Sequence, residues 1–129
     1  LQARERPATG KDGIQRMDDL LRRAVKTDPA LDHGGPHRLL AILLLRAPSW
    51  PLGPGDTGEA LTEAEAAVRI APDYAPNQLA LGEALAKNGR EAESRAAYSR
   101  ALELANAETG RGDPDAPGWA DDARAALRR

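Results

Sequence analysis

A β-sheet has almost nothing to be built from in this chain. Its 129 residues include 26 Ala and 17 Leu against 2 Val, 3 Ile and 5 Thr; Phe is absent, and Trp and Tyr number two each. Ala and Leu head the helix-propensity scale, whereas β-branched and aromatic residues populate strands. The expected fold is therefore all-α. At this length one domain with one modest core is expected. The 18 basic and 20 acidic residues leave a net charge of -2. That balance offers no concentrated basic surface for nucleic acid or an anionic membrane. Without cysteine, disulfides, thiolate metal sites and cysteine nucleophiles are excluded. The longest apolar run, 39–45, falls far short of a membrane span. No signal peptide is visible, and a start at Leu1 rather than Met leaves room for a removed upstream segment. The compartment, cytoplasmic or bacterial periplasmic, stays open.

Apolar spacing and helix punctuation divide the chain. A helix over 14–27 carries Ile14, Met17, Leu20, Leu21, Ala24 and Val25 on one face and stops at Asp28-Pro29. A second, over 36–46, opens at Pro36 and is apolar all round through 39–45, which makes it central. Residues 47–55, rich in Pro and Gly around Trp50, form a loop. A third helix opens at Asp56, with Asp56 and Glu59 at capping-box spacing, and ends at Pro72. A fourth runs over 76–87 to the Asn88-Gly89 turn, and a fifth over 90–105. Residues 107–118 read as a flexible link and 119–127 as a short capping helix anchored by Trp119.

These Ala-rich helices recur with a period near 34 residues. Within 75–106, Leu81-Gly82, Leu85, Gly89, Ser94, Tyr98 and Ala101 stand where a tetratricopeptide repeat places its Leu-Gly pair, large apolar residue, turn glycine and small–aromatic–small series. Asn106 stands where that repeat ends in Pro. One period earlier, Leu40-Ala41 and then Ala60, Ala64, Ala67 and Pro72 take the same places. Met17, Leu21, Ala24 and Pro29 fit a second helix one period before that. The chain thus resembles a short tetratricopeptide array. It would comprise a half repeat (13–33), a repeat carrying the Trp50 loop as an insertion (34–72), a second repeat (73–106), the link and the cap. The spacing Asp28-Pro29, Gly34-Gly35-Pro36, Ala47-Pro48 and Pro51-Leu52-Gly53 further resembles the tetratricopeptide T-component of bacterial TRAP solute transporters. That second resemblance implies an accessory carrying an apolar or acidic small ligand for a solute-binding partner.

The array resemblance implies a concave face lined by first helices: Arg38, Ile42, Leu45 and Arg46 from one repeat, Pro76, Leu79, Glu83 and Lys87 from the next. Such a mixture suits an extended peptide bearing an acidic or C-terminal carboxylate group, with Arg38, Arg46 and Lys87 supplying charge. Ile42 and Leu45 read equally well as core. Trp50 reads either as a binding anchor or as a lid over the end of the 39–45 helix. The apolar stripe Ile14, Met17, Leu21 has no evident partner, so it predicts cover by residues 1–12, by upstream sequence, or by self-association.

Other motifs favour plain readings. Gly53-Pro54-Gly55-Asp56-Thr57-Gly58 has the letters of a dinucleotide-binding G-x-G-x-x-G, but no βαβ unit surrounds it, and it reads as a loop entering a capped helix. His33 and His37 are four apart, the spacing of a two-His metal face on a helix, but Gly34-Gly35-Pro36 between them argues against one continuous helix, and they read as a turn histidine and a helix-start histidine. The carboxylate pairs Asp18-Asp19, Asp121-Asp122 and Glu63/Glu65 read as solvated faces. Ser49, Ser94 and Ser99 lack a positioned base. The expectation is a non-enzymatic protein- or peptide-binding scaffold without cofactor or metal, with self-assembly as the alternative.

Overall fold

The structure, a computed structural model, describes residues 2–129, and the side chains of residue 10 and residues 12–129. It is all-α. Six helices follow one another: α1 Gln2–Thr27, α2 Leu31–Arg46, α3 Thr57–Ile70, α4 Ala75–Lys87, α5 Glu91–Gly110 and α6 Ala116–Leu127. Each packs on its sequence neighbour, and α2 also meets α4, as α4 meets α6. No described helix is long and apolar enough to cross a membrane.

The expected helices are present, with informative differences at their ends. Helix α1 begins at Gln2 rather than near residue 14, so residues 2–12 prolong it instead of folding back over it. Periodicity detects only helical segments with a buried face, which these residues do not announce. Helix α5 runs through Asn106 to Gly110, and the link shrinks to the turn 111–115. Asn106 is the cause: a proline there would have stopped the helix. The turn closes through Gly112 (φ +89°) with hydrogen bonds from Gly112 N–H to the Thr109 carbonyl (3.0 Å) and from Asp113 N–H to that of Glu108 (3.1 Å).

Asp56 caps α3 as expected, its carboxylate accepting from Glu59 N–H at 2.9 Å. The reciprocal half of the capping box does not form. The Asp56 N–H donates instead to the Leu44 carbonyl (2.9 Å), and the Glu59 carboxylate turns to Arg22 (2.6 and 3.1 Å). Arg22 also holds Asp18 (3.0 Å), which ties α1 to α3.

Small side chains set the packing. Ala60, Ala64, Ala67, Ala84, Ala101 and Ala105 are fully buried, and Leu40 and Leu44 nearly so. Leu21 and Val25 of α1 close the main core against α2. At Gly82 a Cβ would lie 2.8 Å from the Tyr98 ring, while Ser94 Oγ donates to the Gly82 carbonyl at 2.7 Å. The Leu-Gly pair is thus where α4 and α5 touch most closely.

The first turn of α2 is left-handed: Asp32, His33 and Gly34 have φ of 51°, 59° and 83°. Left-handed backbone costs a non-glycine residue about 1–2 kcal/mol. A buried polar network holds this turn. Arg38 donates to the Asp32 carboxylate (3.1 Å) and to Asn77 Oδ1 (3.0 Å). Asn77, wholly buried, donates through Nδ2 to the carbonyls of His33 (2.8 Å), Ala67 (3.2 Å) and Ala71 (3.1 Å).

Candidate functional site

A cleft of about 540 Å³ opens between α2, α4 and α6, with the Tyr98 side chain of α5 among its lining groups. Helix α2 presents Arg38, Ile42 and Arg46; α4 presents Pro76, Leu79, Ala80 and Glu83. These residues recur at three- or four-residue steps, so each helix shows one continuous face. The cleft therefore gathers most of the predicted face.

Three expected members behave differently. Arg38 is 7% exposed and its guanidinium is spent on Asp32 and Asn77 and stacked 5.0 Å from the Tyr74 ring centre, so it braces the fold rather than offering a free charge. Leu45 is buried in the core beside Leu44 and does not line the cleft. Lys87 is exposed in the last turn of α4 and lies outside the cleft lining. Arg46 and Glu83 face each other in a two-pronged ion pair (2.8 and 3.3 Å), which raises the Arg46 pKa chiefly through that hydrogen bond.

The third wall is α6, with Trp119, Asp122, Ala125 and Ala126, joined by Arg129 just past its end. Sequence reasoning took this segment for a cap. Its spacing 119, 122, 126, 129 nevertheless repeats the pattern of α2 and α4, and that signal could have revealed it. Tyr98, the aromatic of the small–aromatic–small series, also lines the cleft. It is 9% exposed, and its hydroxyl has no hydrogen-bond partner among the described residues. No wholly enclosed side-chain oxygen or nitrogen lacks a partner, so this hydroxyl retains access to solvent. Burial, followed by the charge of Glu83, pushes its pKa up and keeps it a neutral donor.

The Trp50 loop stands apart from the cleft. Gly55 N–H donates to the Pro48 carbonyl (2.8 Å), and Gly53 and Gly55 lie too close to backbone carbonyls of 47–48 to carry a side chain. Loop closure therefore accounts for the first two glycines of the G-x-G-x-x-G letters, and Gly58 is not needed for it. Trp50 is 87% exposed, which overturns the lid reading. Trp50→Ala is expected to change unfolding free energy by no more than about 0.5 kcal/mol, measured by urea denaturation. A larger loss would mean that the indole packs in solution.

The stripe on α1 also divides. Leu21 packs into the core, Ile14 is half-buried beside the Trp50 loop, and only Met17, with Leu20 next to it, is exposed. The histidines go separate ways: His37 Nδ1 lies 2.8 Å from Glu63, and His33 stacks on Tyr74 with ring centres 4.3 Å apart. Among the described residues, no group of three potential metal ligands converges.

No family model matches the sequence, and no curated protein matches it.

Proposed function

We propose that the chain is a tetratricopeptide-like binding module that holds an extended segment of a partner protein in the α2–α4–α6 cleft. One observation carries this reading: Tyr98 is nine-tenths buried, its hydroxyl is unpartnered, and it belongs to a cleft with apolar walls from Ile42, Leu79 and Ala126. Open to solvent at the cleft surface and without a partner among the described residues, this donor is available to a ligand with no bond inside the protein to break. Apolar Ile42, Leu79 and Ala126 interleaved with charged Glu83, Asp122 and Arg129 suit recognition of alternating side chains and backbone groups of an extended segment.

The test is an array of random octapeptides, printed with free or amidated C-termini, probed with the labelled protein. The wild type should enrich a consistent subset. Leu79→Glu should lose it, and Tyr98→Phe should bind it about tenfold more weakly, with helical circular dichroism unchanged in both. Enrichment that survives both substitutions, or no enrichment by the wild type, contradicts the reading.

A further inference from the structure

A second cavity, of about 390 Å³, lies beside the first and has a different chemistry. Its side-chain functions come from His33, Asp73, Tyr74, Glu108, Asp113 and Trp119, and no Lys or Arg lines it. Trp119 lines both cavities and so forms the partition between them. Tyr74 meets the indole at 70° with ring centres 5.5 Å apart, which fixes its orientation. The Tyr74 ring itself is already engaged by His33 and by Arg38, whereas the indole, half-buried against Ala75, Ala105 and Ala120, has no ring contact other than Tyr74 among the described residues.

We infer that this cavity is a binding site for an organic cation, an ammonium or guanidinium group seated on the Trp119 ring. Trp is the strongest of the aromatic rings for a cation, through the negative potential of its face. The three carboxylates come from three separate places: the α3–α4 connection, the end of α5 and the α5–α6 turn. Asp73 pairs with Arg100 and Glu108 with Arg111, in solvent-exposed pairs whose arginines lie outside the cavity lining. Exposed pairs are weak, so a bound organic cation can compete with these arginines for the carboxylates. Asp113 makes no ion pair among the described residues; its carboxylate accepts only the Asp115 N–H, at 2.9 Å. A bulky, weakly hydrated cation fits better than a metal ion, because an aromatic wall cannot replace a hydration shell of oxygen ligands. This site is independent of the peptide cleft and survives if that reading fails.

The test uses Trp50→Phe protein, in which Trp119 is the only remaining tryptophan. Its fluorescence is followed during titration with tetramethylammonium chloride and with N-acetyl-arginine amide. Potassium chloride controls for ionic strength. Neopentyl alcohol, with nearly the shape of tetramethylammonium and no charge, controls for apolar binding. A saturable change with a midpoint on the order of millimolar is expected for at least one cation. The alcohol should be at least tenfold weaker. Glu108→Gln/Asp113→Asn, which keeps the Asp115 hydrogen bond, should weaken the cation about tenfold at unchanged circular dichroism. The tighter of the two cations then tells an alkylated ammonium from a guanidinium source. Equal response to the alcohol, a midpoint unmoved by the double substitution, or no saturable change with either cation would overturn the proposal.

Discussion

Asn77→Ala is expected to destabilise the protein by about 3–5 kcal/mol, the range seen when a buried charged network loses one member. The side chain is wholly buried and joins four groups from three parts of the chain. Its removal leaves the Arg38 guanidinium short of an acceptor and three carbonyls short of a donor. It also releases the left-handed turn at Asp32 and His33, whose backbone cost is then no longer compensated. For a domain of this size the loss corresponds to a fall of roughly 10–20 °C in Tm, read by thermal circular dichroism. Asn77→Asp keeps the acceptor for Arg38 but sets a carboxylate against three carbonyl oxygens, and should be no better tolerated. A loss under about 1 kcal/mol in the alanine variant would mean that the network is not what holds the turn.

Gly82→Val should cost about 3 kcal/mol, the upper range for inserting volume into a filled core. The first added carbon already meets Cε2 of Tyr98 at 2.8 Å and Cδ2 and Cζ at 2.9 Å. The ring is buried where α4 and α5 meet, so displacing it disturbs that contact. Gly82→Ala should cost less, because alanine recovers about 1 kcal/mol of helix propensity over glycine. A double-mutant cycle isolates the contact. In a Tyr98→Ala background the valine penalty should shrink by at least about 1 kcal/mol. Additive losses would place the strain elsewhere.

The helical class was legible in the shortage of β-branched and aromatic residues, and the helix starts at Asp56 and Pro36 in their capping chemistry. The close contact at Gly82 was legible through the resemblance of Leu81-Gly82 to the repeat's Leu-Gly pair; helical position alone does not imply it, since Gly10, Gly13 and Gly118 also lie in helices with open space beside them. Much of the cleft was legible too, through the resemblance to a repeat array, which implies one face of a first helix carrying Arg38, Ile42 and Arg46. What spacing could not supply was competition for each side chain. Arg38 has the same period as Ile42, yet Asp32 and Asn77 claim it, one of them 39 positions away. Leu45 sits only three residues past Ile42, but that step turns it to the core. Trp119 seemed a terminal anchor because Gly110, Gly112 and Pro114 suggested a long link. The absence of a proline at 106 kept α5 helical, shortened that link and brought α6 in as a third wall.

The central claim is that the α2–α4–α6 cleft, and not the Trp50 loop or the outer face of α1, receives the partner. Methyl and aromatic NMR spectra recorded while titrating the most enriched peptide test it most directly. The account predicts that Ile42, Leu79, Ala126 and the Tyr98 ring shift progressively, while Met17, Leu20 and Trp50 stay in place. Shifts confined to Met17, Leu20 or Trp50, with the cleft resonances unmoved, would contradict it.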